Sequence, residues 1–239
     1  MAHYNGDIKF RGTSSKAYPL IITAPPQIGH GDKITEDYTI PGRNGTLISK
    51  GYYRASATIS VTMALVADEG FNSGVSKYKQ AYRQVMSWLQ GSGKLIIGDS
   101  ADSFYEVQKV EISTDERVIL RYGNIEALFT VYPYEFLNSG NAGISGGTIA
   151  NTADEASPLY KIAGTGSGNL TVNNNVMTYS VDGELYIDTR RLIAYDSQGR
   201  NCSNNISGDY TQLRLVNGSN SVSASAGNLT VYPKWGYNI

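Results

Sequence analysis

Asp182, Glu184 and Asp188 crowd around Gly183, and carboxylates held at a set separation in a cleft can hydrolyse glycosidic bonds. Nothing in this spacing sets a separation or a cleft, and acids beside a glycine are ordinary turn residues. The only histidines, His3 and His30, fall in loop-like sequence with neither metal-ligand spacing nor a nucleophile beside them. Asp196 to Asn205 has oxygen side chains enough for a calcium loop, but not in EF-hand order. Gly164-Thr165-Gly166-Ser167-Gly168 invites a phosphate-binding reading, yet a short strand follows it where a helix N-terminus is required, so it reads as a flexible turn. Cys202 is the single cysteine, which excludes an intramolecular disulfide framework and a cysteine-based zinc cluster. Triplets such as Asn169–Thr171 and Asn228–Thr230 match the glycosylation pattern but reflect an Asn/Ser/Thr-rich composition. The expectation is a protein that is not an enzyme, with no catalytic residue, cofactor or metal.

Binding chemistry has more support. Tyr232, Trp235 and Tyr237 could stack on sugar rings as a glycan platform, although a core or interface role for Trp235 is the simpler reading. Tyrosine is abundant, 18 residues against 5 Phe and 2 Trp, which suits half-buried strands and protein interfaces. With 20 basic and 21 acidic side chains, the net charge of −1 argues against nucleic-acid binding as a main function. No apolar run approaches the roughly 18 residues of a membrane span. The first residues lack the basic and apolar regions of a secretory signal, so synthesis and folding in the cytoplasm of the producing cell are expected.

The elements that would position these residues are mostly strands. Ile40-Pro41-Gly42-Arg43-Asn44-Gly45-Thr46-Leu47 holds two turn signals and reads as an exposed hairpin connection. After it, Tyr53, Ala55, Ala57, Ile59, Val61, Met63 and Leu65 alternate with smaller, mostly polar residues, the period of a two-faced strand. One helix is expected near Gly74–Gln90, capped by Ser73 and ended by Gly91, with Tyr78, Ala81, Tyr82, Val85, Trp88 and Leu89 on one face. Four more strands follow, the last stopped by Pro133. Residues 138–157 turn rich in Gly, Asn, Ser and Thr and read as a linker. Beyond it come seven or eight short strands separated by turns, among them Leu159–Ala163, Asn169–Val172 and Tyr210–Leu215. The domains expected are 1–137, a β-sandwich with a single amphipathic helix, and 158–239, a second β-sandwich, joined by 138–157.

The order of several short stretches resembles the distal tail protein family of siphophages, especially those infecting Gram-positive bacteria. They are Phe10-Arg11-Gly12-Thr13-Ser14-Ser15, the Ile40–Gly45 loop, Trp88-Leu89 closing a helix before Lys94-Leu95-Ile96 and Tyr105, and the strand Phe129 to Tyr134. Ser157 to Gly164, Ile187-Asp188-Thr189 and Leu215 to Asn220 follow. The resemblance implies a galectin-like second domain and a structural hub at the tail tip of the virion, made in the host bacterial cytoplasm. Its first domains would form a ring, hexameric in the family, joining the tail-tube protein to the tail-associated hub protein. Its second domains would carry receptor-binding or baseplate proteins. The chain has no room for the inserted carbohydrate-binding module of some members. Arg43, Asn44, Tyr52 and Arg54 are the candidate interface residues. The competing reading is a glycan-binding adhesin module using the second domain; a tail-tube-like virion protein and a glycosidase built on Asp182 or Asp188 rank below it.

Overall fold

The computed structural model describes residues 6–49, 53–66, 74–98, 100, 102–119 and 122–239. The chain divides into two compact units, Met1–Glu135 with Asn238–Ile239, and Phe136–Tyr237. The division falls at 135/136, whereas the sequence reading places the boundary in the segment 138–157.

The first unit begins with a tight hairpin. β1 (Ile8–Phe10) and β2 (Thr13–Ser14) are joined by Arg11 and Gly12, both at positive φ, 52° and 82°, the handedness that two-residue hairpin turns require. β3 (Leu20–Ile22), β4 (Gln27–Ile28), β5 (Glu36–Tyr38) and β6 (Leu47–Ser49) precede the two-faced strand β7 (Ala57–Val66). Its odd positions Ala57 to Leu65 are all buried. Tyr53 and Ala55, expected to begin the same buried face, are exposed. α1 (Gly74–Trp88) buries Tyr78, Ala81, Val85 and Trp88, and the adjoining Leu89 is buried too. Gly91 at φ +89° takes the left-handed conformation just beyond its end; Ser73, the expected cap, lies outside the described residues. β8 (Gly93–Ile97), β9 (Ser103–Ile119) and β10 (Tyr122–Leu137) complete the path, and the sheet runs β2-β1-β8-β9-β10-β7-β3, with β4 also on β7.

The Phe10–Ser15 motif proves to be a clamp between helix and sheet. The Arg11 guanidinium donates to the Gln90 carbonyl at 2.9 Å, satisfying an acceptor just past the end of α1. The Trp88 indole donates to the Phe10 carbonyl at 3.1 Å, and the Phe10 ring meets Trp88 and Phe129 edge-on. Pro133, expected to stop a strand, instead lies inside β10. Its carbonyl accepts the Ile239 N–H at 3.2 Å, while the Ile239 backbone oxygen accepts from Gly31 at 2.8 Å. The proline therefore occupies a one-sided position where no donor is required of it.

The second unit includes β11 (Ile144–Ser145), β12 (Gly147–Asn151), β13 (Leu159–Val172), β14 (Asn175–Asp188), β15 (Ile193–Asp196), β16 (Ile206–Ser207), β17 (Gly218–Ala224) and β18 (Asn228–Tyr232). β19 (Gly236–Asn238) pairs with β10. Residues 138–157 are not a free linker. β12 pairs with β17 from Gly147↔Val222 to Asn151↔Gly218, and Ile149, Ala153 and Ala156 are buried. A backbone ladder and three apolar anchors hold the segment, and Thr148–Asn151, which the sequence allows as a short strand, lies within β12. Tyr210–Leu215, expected as a strand, holds the 3₁₀ turn Tyr210–Gln212.

The spine of this unit is the hairpin β13–β14, in unbroken register from Leu159↔Asp188 to Val172↔Asn175. The glycine run 164–168 is thus a strand segment, not the flexible turn expected. β13 pairs with β18 over Leu159–Ala163 and with β17 over Leu170–Val172, and the glycines lie where it changes partner. Gly164 and Gly166 adopt φ of +146° and +121°, which a side chain would resist. β14 changes partner likewise, from β16 at Thr178–Tyr179 to β15 at Leu185–Asp188. Tyr160, Ile162, Leu170, Met177, Ile187 and Val231 are fully buried around this hairpin.

Candidate functional site

The Ile40–Leu47 stretch forms a hairpin connection. Pro41 sets one turn residue, Gly42 the next at φ +84°, and the Arg43 N–H closes the turn on the Ile40 carbonyl at 3.1 Å, the arrangement of a type II turn. β5 and β6 flank it in the register Glu36↔Ser49, Asp37↔Ile48 and Tyr38↔Leu47, forming a two-stranded sheet of their own.

This ribbon has a firm root and an exposed shaft. At the root Gly29 donates to Thr58, Ala55 to Asp32 and Ile34 to Tyr53. Arg54, half-buried, donates through Nη1 to the Gly31 carbonyl at 2.9 Å. Gly31 is pinned: a Cβ there would lie 2.4 Å from Pro133 Cβ and 2.5 Å from the Ala55 oxygen. From Asp32 to Ser49 every residue is exposed. Ile34, Tyr38, Ile40, Leu47, Ile48 and Tyr53 are each 41–58% exposed. Tyr38 and Leu47 share one face with Glu36, whose carboxylate accepts the Tyr38 hydroxyl and holds that phenol above its ordinary pKa. Apolar side chains gathered on a narrow ribbon are what a protein interface buries.

Of the predicted interface residues, Arg43 and Asn44 sit at the ribbon tip, Arg54 at its root, and Tyr52 lies outside the described residues. The apolar set on the shaft was missed. Its only sequence signal is the spacing of Ile34, Tyr38, Ile40, Leu47 and Ile48 about a turn, which equally describes a buried hairpin.

The aromatic trio is dispersed in role. The Trp235 indole donates to Ser139 Oγ at 3.0 Å and packs on the core of the second unit, and Gly140 lies so close that a Cβ would come within 2.8 Å of the Trp235 backbone nitrogen. Tyr232 is half-buried with the Lys234 ammonium 6.0 Å from its ring centre. Tyr237 is the exposed ring of the three.

The acidic residues hold turns and strands. Glu184 pairs with Lys161 at 2.6 Å and accepts the Tyr186 hydroxyl at 2.9 Å; these bonds hold its carboxyl below the usual range. Asp188 accepts the N–H groups of Arg190 and Arg191 at 3.0 Å each. Asp196 accepts from the backbone of Arg200 and Gln198 and from the Arg200 guanidinium, the first of these doing most to lower its pKa. Asn220, in the Leu215–Asn220 stretch, is buried; its amide donates to the carbonyls of Val216, Gly218 and Ile149 and its oxygen accepts from Val216 and Asn173. Among the described residues no group of three or more His, Cys, Asp or Glu is placed to hold a metal ion.

No family model and no curated protein matches the chain. Among solved structures, the Dit protein of phage SPP1 superimposes with a TM-score of 0.69 at 11% identity, over 95% of this chain and 97% of that one. The chain has a Dit-like fold. The SPP1 protein is described as a paradigm of the hub adsorption apparatus in phages that infect Gram-positive bacteria. The Dit-like fold takes in both units, mainly β with one α-helix among the described residues. No helix among those residues is long and apolar enough to cross a membrane.

Proposed function

We propose that this chain is a structural hub at the tip of a long non-contractile phage tail. The likeness to a phage hub protein over nearly the whole of both chains carries the reading. In it, first units of neighbouring copies form a closed ring, a hexamer, joining the tail-tube protein to the tail-associated hub protein. Each unit is a β-sandwich in this reading, the second of galectin-like type, and second units point to receptor-binding or baseplate proteins. The protein then resides in the virion tail tip after synthesis in the host bacterial cytoplasm, and it is not an enzyme. The exposed apolar ribbon supports this, because closed rings are built from head-to-tail contacts between two different surfaces of each copy. Arg43, Asn44, Tyr52 and Arg54 belong to the proposed interface, with Tyr38 and Leu47 as its apolar centre.

Solution mass and negative-stain imaging test the reading, with and without the tail-tube protein. Rings of uniform size, alone or on tube ends, are expected. A monomer at high concentration that forms no ring even with the tube protein present would overturn it.

A further inference from the structure

We infer that the second unit carries a binding groove for a neutral saccharide, away from the aromatic trio. This site does not rest on the hub reading.

The groove, of about 690 Å³, lies over the β13–β14 hairpin at the glycine bend, between the Asn204–Ser207 segment and Ser225. The groove is shallow and open to solvent along most of its boundary. Its lining is uncharged, with Tyr179, Ile206 and Gly168 set among polar side chains. Hydroxyls come from Ser167, Thr178, Ser180, Ser207 and Ser225, and amides from Asn169, Asn204 and Asn205. No carboxylate, ammonium, guanidinium or imidazole lines it. A hydroxyl or carboxamide both donates and accepts, so this wall selects a ligand that does the same at many points. An anion would find no cation, a cation no carboxylate, and an apolar ligand would strip water from polar groups without replacing it. A neutral polyhydroxylated ring meets every requirement.

The wall is also prebuilt. Asn169 and Ser225 are locked together, Asn169 N–H to Ser225 Oγ at 2.8 Å and Ser225 N–H to the Asn169 carbonyl at 3.0 Å. Thr178 Oγ1 donates to the Ser207 carbonyl at 3.3 Å, which fixes β16 on β14. The Tyr179 hydroxyl donates to the Ala226 carbonyl and accepts the Ala226 N–H at 3.2 Å, holding the turn beside the groove. Gly168 admits this packing, since a Cβ there would meet both Ser225 Oγ and Tyr179 Oη at 2.8 Å. Ser225 Oγ can still donate and Thr178 Oγ1 still accept. The side chains of Asn169, Ser180 and Asn204 make no hydrogen bond within the described residues and face solvent. A rigid wall with uncommitted donors and acceptors binds at low ordering cost.

The test uses the full chain, titrated by calorimetry and by amide-shift NMR with glucose-, galactose- and N-acetylglucosamine-based oligosaccharides. A poly(glycerol phosphate) competitor is the charged control. At least one neutral oligosaccharide should saturate and shift the Asn169 and Ser225 amides. Asn169→Ala with Asn204→Ala should weaken it about tenfold, the size of two lost hydrogen bonds. Ser180→Arg, at an exposed position that tolerates the change, should abolish it; Tyr237→Ala should leave it unchanged. The proposal is overturned if no neutral oligosaccharide saturates, if both groove variants bind within twofold of the parent, if Tyr237→Ala abolishes binding, if poly(glycerol phosphate) competes, or if the groove amides do not shift. Ring formation, measured on the same variants, stays unaffected and judges the hub reading separately.

Discussion

Single residues set the rigidity of the second unit. Tyr160 is fully buried and its hydroxyl donates to the Leu213 carbonyl at 2.7 Å, so burial pushes its pKa up. Tyr160→Phe keeps the ring and orphans the carbonyl; a loss of about 1–3 kcal/mol in chemical denaturation is expected. In the first unit Tyr105 is pushed up to about 12, mainly by burial and then by the Glu135 carboxylate beside it. A phenol whose folded pKa exceeds its unfolded value near 10 contributes stability that is whole below about pH 10 and fades as pH rises toward 12. Circular dichroism followed from pH 9 to 12, with phenolate absorbance at 295 nm, should show alkaline weakening that Tyr105→Phe makes shallower.

At the scale of elements, the ribbon and the β13–β14 hairpin contrast. The hairpin is covered by neighbours on both sides, whereas the ribbon holds itself by a three-pair register and its root. Isolated two-stranded ribbons are marginal in water, so apolar groups on one are better explained by assembly than by folding. Tyr38→Ser with Leu47→Ser should therefore leave the melting temperature of the dilute monomer within about 2 °C, because exposed sites contribute little. The same change should reduce ring yield by at least tenfold in sedimentation velocity. Arg43→Ala with Asn44→Ala, at the tip, tests whether the turn contributes beyond its geometry: unchanged rings and unchanged attachment to the tube would leave it a turn only.

For the whole molecule, each unit has its own apolar core, Ile8 to Val131 in one and Ile149 to Val231 in the other, with no buried residue shared. Cores of this kind melt as separate cooperative units. Scanning calorimetry should resolve two transitions, and Tyr160→Phe should lower one of them by roughly 4–8 °C per kcal/mol while the other stays in place. A single transition shifted as a whole would show that the two units unfold together.

Much of this architecture is local and therefore readable in the chain. Period two placed Ala57 to Leu65 on a buried face, period 3.6 placed Tyr78, Ala81, Val85 and Trp88 on another, and Pro41-Gly42 specified its own turn. The Phe10–Ser15 and Leu215–Asn220 stretches were visible as motifs, but only the fold shows Arg11 capping α1 and Asn220 knotting buried carbonyls. Pairing between distant segments has no local signature. Ser225 reaches Asn169 across 56 residues, so neither the polar groove nor the glycine bend beneath it could be seen along the chain. Of the carboxylates and aromatics that opened the chemical reading, Asp188 caps a turn, Glu184 pairs with Lys161, and Trp235 is a half-buried indole bonded to Ser139. Whether an apolar alternation is buried or exposed depends on what packs over it: the chain determined the pattern at Ile34–Leu47, and the tertiary structure left it uncovered.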